Sequence, residues 1–81
     1  MALTQEARQI LDFEQLTWKY LAAKESEIRR RFGYSSTIYF ARLGRILDDP
    51  DAIAYAPQLV RRLQRLRDAR RAARSSARLI P

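Results

Sequence analysis

Cysteine and histidine are both absent from the sequence. Without cysteine, the chain has no disulfide framework and no zinc site built on thiolates. Without histidine, it lacks the commonest metal ligand, the commonest general base and the usual partner of a nucleophilic serine. The acidic residues show no convergent spacing, and no glycine-rich phosphate loop is present. We therefore expect no enzyme activity, no cofactor, no metal and no small-molecule substrate.

Long apolar runs are missing as well. A membrane-spanning helix needs roughly 20 predominantly apolar residues, and no segment of the sequence comes near that length. At the start of the chain, Glu6, Arg8 and Asp12 interrupt the stretch that a signal peptide would fill with apolar residues. We therefore expect no membrane partner and a cytoplasmic location.

Acidic residues are scarce at one end of the chain. The 81-residue chain has a net charge of +7, yet its first 56 residues carry equal numbers of basic and acidic side chains, eight of each. The last 25 residues carry one acid, Asp68, and eight arginines: 61, 62, 65, 67, 70, 71, 74 and 78. Arginine binds phosphate oxygens through two parallel hydrogen bonds and fits narrow minor grooves. This distribution predicts a polyanionic partner, with double-stranded DNA as the first candidate.

The apolar periodicity predicts an all-α fold, a small helical domain followed by a long C-terminal helix rich in arginine. Thr4 suits the N-cap of a first helix over residues 4–22, and Phe13 and Trp18 are its predicted core aromatics. A second helix is expected over residues 23–32. The length of the chain favours a single domain core.

Glycine, serine and proline mark the remaining helix boundaries. Gly33 ends the second helix because glycine readily takes a positive φ. Ser35 is a good N-cap for a third helix over residues 36–47, and Pro57 suits the first position of the last helix. One further turn is expected over residues 51–54. The core side of the last helix is predicted to consist of Leu59, Val60, Leu63 and Leu66.

The second and third helices, joined by a short turn that contains Gly33, have the spacing of a helix-turn-helix. Apolar residues that fix the angle between two such helices are present at the required positions: Ile28, Phe32, Tyr34, Tyr39 and Leu43. In such units the N-terminal residues of the second helix enter the major groove. The candidates for base contact are therefore Ser35, Ser36, Thr37, Phe40 and Ala41.

Arginines near this motif and along the last helix are the candidates for phosphate or minor-groove contact: Arg30, Arg31, Arg42, Arg45, Arg67, Arg71, Arg74 and Arg78. The last four recur at steps of four, three and four residues, which places them on one face of a helix. No Arg, Asn or Gln occupies the leading base-contact positions. We therefore expect weak base readout, with most of the affinity supplied by phosphate contacts.

Structural alternatives to these functional interpretations stay open. The three hydroxyl residues 35–37 can form an N-cap cluster with no further role. The run Arg29–Arg31 can be a solvated helix face balanced by Glu25 and Glu27. The arginine-rich tail can be disordered alone and fold on DNA. The leucines of the last helix can serve the monomer core or a helix pair, so a homo-oligomer also stays open.

We divide the chain into a helix-turn-helix DNA-binding domain over residues 1–66 and a basic C-terminal helix extension or tail over residues 67–81.

Four stretches between residues 10 and 78 carry a resemblance to a known family: ILDFE, W-K-Y-x-A-x-K-E, I-R-x-x-F-G-Y-S-x-T-x-Y and P-x-L-V-R-R-L-x-R-L-R-D-A-R-R-x-A-R. Together they resemble a family of small actinobacterial proteins with one helix-turn-helix. That family is catalogued as a domain of unknown function and includes the nucleoid-associated protein Gbn.

The resemblance implies a cytoplasmic protein of the nucleoid that binds many chromosomal sites through a short, GATC-type motif. It implies base reading by Ser36 and Thr37, phosphate contact by the arginines near the motif, and minor-groove contact by an arginine of the tail. The run Ile38-Tyr39-Phe40 departs from the Tyr-Tyr-Gln-like run of the family, and Ala41 replaces a polar side chain there.

Weak base readout combined with a dense set of phosphate-binding arginines favours an architectural DNA-binding protein, independently of the resemblance. Two alternatives are kept. One is a local transcription regulator, which would show a large gap between specific and non-specific affinity. The other is an adaptor that binds RNA polymerase or the ribosome through the arginine helix.

Overall fold

The computed structural model describes the backbone of residues 3–79 and the side chains of residues 3–74. Between residues 3 and 79 the chain forms five α-helices and no strand: α1 Gln5–Glu14, α2 Leu21–Phe32, α3 Ser36–Ile46, α4 Pro50–Tyr55 and α5 Pro57–Leu79. The predicted all-α fold is confirmed. The predicted domain boundary after residue 66 falls inside α5, which continues without a break.

Local backbone chemistry explains where several helices begin and end. The Thr4 hydroxyl accepts a hydrogen bond from the backbone N–H of Ala7 at 3.1 Å and caps α1 as predicted. Gly33 ends α2 in the left-handed region with φ 78°, where a side chain would strain the backbone. Ser35 caps α3, and Pro57 is the first residue of α5. The expected turn near residue 51 is a short helix, α4.

The first helix is shorter than the sequence predicts, which places its end at residue 22. It ends at Glu14, and α2 begins at Leu21 rather than at residue 23. In a continuous helix Phe13 and Trp18 would point about 140° apart, because each residue turns the helix by about 100°. The chain instead reverses after Glu14, so that the two ring centroids lie 5.4 Å apart. Packing of these aromatics thus ends the helix.

Phe13 lies at the centre of an aromatic cluster. Its side chain is buried, and its ring centroid lies 5.4 to 5.7 Å from those of Trp18, Phe32 and Tyr39. Trp18 is half-buried against this cluster, so both predicted core aromatics are confirmed. The buried core takes residues from all five helices and from Leu47 after α3: Ile10, Leu11, Phe13, Ile28, Tyr39, Leu43, Leu47, Ala52, Leu59 and Val60.

One prediction about α5 is wrong. Leu59 and Val60 are buried and Leu63 is half-buried, but Leu66 is 49% exposed. The reason is geometric: Gln64 and Arg67 still contact the end of α3, but Leu66 lies about 100° around the helix from Arg67, away from the side that contacts the domain. From Asp68 to Arg74 every residue of α5 is exposed.

A buried carboxylate connects the first three helices. Glu14 at the end of α1 accepts a hydrogen bond from the hydroxyl of Tyr39 in α3 at 2.5 Å. The same carboxylate lies 2.9 Å from the ammonium nitrogen of Lys24 in α2. Burial raises the pKa of Tyr39 far above its usual range, and the hydrogen bond to Glu14 adds to this effect. The network fixes α3 relative to α1 and α2.

Candidate nucleic-acid interface

Helices α2 and α3 form the unit whose spacing indicates a helix-turn-helix. They contact each other directly, and the turn between them consists of residues 33–35. Ile28 on α2 and Tyr39 on α3 are fully buried between the helices and α1, as the spacing predicts. The ring of Tyr34, in the turn, stacks on that of Phe32 with 5.7 Å between centroids. The turn is therefore held against α2 by an aromatic contact and against α3 by the guanidinium of Arg42, which lies over the Tyr34 ring.

The exposed face of α3 carries three of the five candidates for base contact. Thr37, Phe40 and Ala41 are exposed, whereas Ser35 and Ser36 are half-buried. The Ser35 hydroxyl accepts a hydrogen bond from a backbone N–H of α3 at 3.4 Å, so its N-cap role is realised within the chain. The positions free to meet a partner are thus small or apolar.

Two of these exposed positions form a stripe along α3 with an arginine. Thr37, Ala41 and Arg45 follow each other at four-residue steps, so they lie one above the other on the outer side of the helix. Phe40 flanks the stripe at 41% exposure, and the ammonium nitrogen of Lys24 lies 5.5 Å from its ring centroid. The outer side of α3 is therefore open, with a positive charge at its C-terminal end.

Two of the three arginines of α2 are already paired within the helix. Arg30 and Arg31 both bind the carboxylate of Glu27, with nitrogen–oxygen distances of 2.7 Å from Arg30 and 2.9 Å from Arg31. Hydrogen bonding from Arg30, with a smaller contribution from Arg31, lowers the pKa of Glu27 to about 2. A phosphate would have to compete with Glu27 for these two guanidinium groups.

On α3, Arg42 is paired with an acid and Arg45 is not. Arg42 donates a hydrogen bond to the carboxylate of Glu6 at 2.6 Å, and its guanidinium carbon lies 4.6 Å from the ring centroid of Tyr34. The hydrogen bond to Glu6 raises the pKa of Arg42. Arg45 is exposed and has no ion pair within residues 3–74. It is the candidate on α3 whose charge is not matched by an acid.

Arg67 has a structural role that the sequence pattern does not reveal. Its guanidinium donates hydrogen bonds to the carboxylate of Asp48 at 3.0 Å and to the carbonyl of Gly44 at 3.4 Å. Nearby, the amide of Gln64 donates to the carbonyl of Leu47 at 2.6 Å. These contacts attach α5 to the C-terminal end of α3, and they leave the Arg67 side chain only 21% exposed. Arg67 is therefore occupied within the chain.

Beyond this attachment, α5 presents unpaired charge. Arg71 and Arg74 are exposed and form no ion pair with any residue whose side chain is described. Arg78 lies in α5, but its side chain is outside the described residues. The helix therefore carries predicted phosphate-contact residues one to two turns beyond Arg67, the residue that contacts the C-terminal end of α3.

The sequence pattern also missed a second group of residues on α5. Arg61, Arg62 and Arg65 line an open cleft of 530 Å³ together with Gln15 and Gln58. All three arginines are exposed, and none forms an ion pair in the described part of the chain. Their spacing of one, three and four residues was the available signal, because it places them on one helix face.

Other kinds of site are not seen in the described part of the chain. Among residues 3–74, no three acidic side chains come together in an arrangement that could hold a metal ion. The described helices also include none that is both long enough and apolar enough to cross a membrane. The described surface is therefore notable for its charged and open helix faces.

Comparison with known proteins gives one match. A family model described as “Protein of unknown function (DUF3263)” matches residues 2–75. No curated protein and no solved structure matches the chain. Because the family model covers nearly the whole sequence, the chain belongs to the family of proteins of unknown function DUF3263.

Proposed function

We propose that this protein is an architectural DNA-binding protein of the bacterial nucleoid that occupies many chromosomal sites. The observation that carries the proposal is the open stripe of α3, formed by Thr37, Ala41 and Arg45, on a helix held in place by α1 and α2. A helix in this position of a helix-turn-helix enters the major groove. The unpaired arginines Arg71 and Arg74 of α5, one to two turns beyond the contact of Arg67 with the end of α3, supply phosphate contacts.

The composition of the stripe favours low sequence selectivity. Thr37 offers one hydroxyl and one methyl group, and Ala41 offers a methyl that can meet a thymine methyl. Neither side chain makes the bidentate hydrogen bonds that discriminate guanine or adenine strongly. A short motif of the GATC type, as the resemblance to actinobacterial nucleoid-associated proteins implies, fits this limited readout. Phosphate contacts then supply most of the affinity.

Binding of random duplex DNA over a salt series, followed by sequencing of the bound fraction, tests the proposal. We expect a steep fall of affinity with salt and enrichment of one short motif. Thr37→Ala should weaken the motif preference and leave the salt slope unchanged. The matched control is Thr17→Ala, which removes an exposed threonine between α1 and α2 and should change neither quantity.

The arginines of α5 are tested in the same assay. Arg71→Ala with Arg74→Ala should weaken binding to every sequence and lower the log–log salt slope by up to about 1.8, since each phosphate contact contributes about 0.9. Arg8→Ala with Lys19→Ala removes the same charge from exposed positions outside α3 and α5 and should have a much smaller effect. Absence of duplex binding at low salt would refute the proposal and favour the adaptor for RNA polymerase or the ribosome.

The same data separate an architectural protein from a local transcription regulator. A regulator binds its own site typically 10³-fold or more tightly than random DNA, because its base contacts add several kcal/mol. For this protein we expect a ratio well below that range. A ratio within it would favour the regulator.

A further inference from the structure

The arginines of α5 occupy two opposite faces of the helix. Val60, Gln64 and Arg67 lie on the side that contacts the rest of the domain: Val60 is buried, and the other two bind backbone carbonyls at the end of α3. With about 100° of rotation per residue, Arg71 and Arg74 continue this inner face beyond the globule. The outer face, which we define as Gln58, Arg61, Arg62 and Arg65, lies on the opposite side of the helix, where Gln15 borders it across an open cleft.

The outer face has the chemistry of a polyanion site. Its three arginines and the side chains of Gln58 and Gln15 provide hydrogen-bond donors around one open cleft of 530 Å³. The nearest acid along this face is Asp68, which is already in an ion pair with Arg67 at 3.5 Å. The charge of the outer face is therefore not neutralised within the described part of the chain.

Folding does not account for this cluster. Arg61 and Arg65 are four residues apart on the helix surface, where like charges destabilise a helix by a few tenths of a kcal/mol. All three arginines are exposed, so their replacement opens no cavity. A cluster that costs a little stability and has no partner within the described residues points to a partner outside the chain.

We propose that the outer face of α5 binds a second DNA duplex, so that a single chain bridges two duplexes. This inference rests on the proposed function, in which α3 and the inner-face arginines hold the first duplex. The outer face lies on the side of α5 opposite the inner-face arginines that hold the first duplex, so one duplex would have to curve around the helix to reach both sets of arginines. DNA is stiff over such lengths, with a persistence length of about 150 base pairs. A second duplex needs no such bending.

A capture assay tests the bridge. One biotinylated duplex is fixed on beads, full-length protein is added, and the retention of a second, fluorescent duplex is measured. The test variant is Arg61→Ala, Arg62→Ala, Arg65→Ala, and the charge-matched control is Arg70→Ala, Arg71→Ala, Arg74→Ala. Alanine is a strong helix former, so both variants keep their helices, which circular dichroism verifies.

We expect the outer-face variant to bind a single duplex within about threefold of wild type, because its major-groove contact and inner-face arginines remain. It should retain at least about tenfold less of the fluorescent duplex, since up to three phosphate contacts to that duplex are lost. The control should lose affinity for the first duplex and therefore capture as well.

Each of the other possible results of the capture assay contradicts one statement of the proposal. Wild-type protein that binds one duplex but retains no second one refutes the bridge and leaves the proposed function intact. An outer-face variant that retains as much second duplex as wild type shows that another surface or a second copy of the chain holds it, and refutes the assignment. Equal loss of single-duplex affinity in both variants means that one duplex contacts both faces. Failure to bind the first duplex refutes the proposed function itself.

Discussion

Glu14 is the carboxylate that α1, α2 and α3 share, and Glu14→Ala is expected to lower the free energy of unfolding by about 3 kcal/mol. The side chain of Glu14 is only 5% exposed, so bulk water does not compete for its two contacts in the native protein. Its two partners are the hydroxyl of Tyr39, a residue with no exposed surface, and the ammonium group of Lys24, whose side chain is 18% exposed. The substitution removes the acceptor from both.

The magnitude follows from these two losses. A buried hydroxyl left without an acceptor costs about 1–3 kcal/mol, and the hydroxyl of Tyr39 has no second acceptor. Breaking a fully buried ion pair costs about 3–5 kcal/mol, but Lys24 keeps some contact with water, so about 1 kcal/mol is expected from this pair. For an 81-residue domain with a total stability of about 4–12 kcal/mol, the loss is a quarter or more.

Urea unfolding followed by the helical circular dichroism signal measures this loss as a change in the midpoint. Glu14→Gln is measured alongside, because its amide oxygen still accepts from Tyr39 and only the charge opposite Lys24 is lost. We expect about 1 kcal/mol for this variant, which also keeps the test usable if Glu14→Ala does not fold. A loss below about 1 kcal/mol for Glu14→Ala would refute the reasoning, since neither partner would then depend on the carboxylate.

Three further substitutions give expected outcomes. Gly44→Ala should raise the free energy of unfolding by about 1 kcal/mol in thermal melts, because a Cβ at this mid-helix position meets no atom within 4 Å. Glu27→Gln should tighten duplex binding at low salt, because it releases Arg30 and Arg31 for phosphates; unchanged affinity would show that these arginines do not reach DNA. Tyr39→Phe should reduce the alkaline loss of stability. In the unfolded chain Tyr39 loses its proton near pH 10, whereas the buried hydroxyl of the folded protein keeps it. The stability that this difference provides is complete below pH 10 and falls by about 1.4 kcal/mol per pH unit above it. Urea unfolding between pH 9 and 11 measures this fall.

Helix ends could be predicted from the sequence where local chemistry determines them. Ser35, Gly33 and Pro57 act on the backbone within one turn, and the structure confirms each of these boundaries. The end of α1 was predicted wrongly because it depends on tertiary packing: the apolar residues before and after Glu14 continue a helical pattern, yet Trp18 reaches the core only if the chain reverses. The periodicity of the apolar residues does not show where the chain reverses.

For the candidate site, the sequence indicates which helix face an arginine occupies but not whether the arginine is free. The pairing of Glu27 with the two arginines that follow it is predictable, because three and four residues is the spacing of helix neighbours. Arg42 with Glu6 and Arg67 with Asp48 are separated by 36 and 19 positions, and only the folded chain brings them together. Free and paired arginines were therefore indistinguishable in the sequence.

Pairing separates the arginines that an acid neutralises from those whose charge is unmatched, and salt should act mainly on the second group. On α2 and α3, Arg30, Arg31 and Arg42 have carboxylate partners, whereas residues 70–74 of α5 present three exposed arginines without one. Like charges at this spacing oppose helix formation, and at 1 M salt the screening length falls to about 3 Å.

We therefore expect the helical signal of the free protein to rise between 10 mM and 1 M salt, while its affinity for DNA falls over the same range. Duplex DNA added at low salt should raise the helical signal as well, because its phosphates neutralise the same guanidinium groups. Replacing Arg70, Arg71 and Arg74 with alanine should reduce both increases. A helical signal that responds to neither salt nor DNA would show that charge repulsion in α5 is too weak to matter, and the arginines would then act on binding alone.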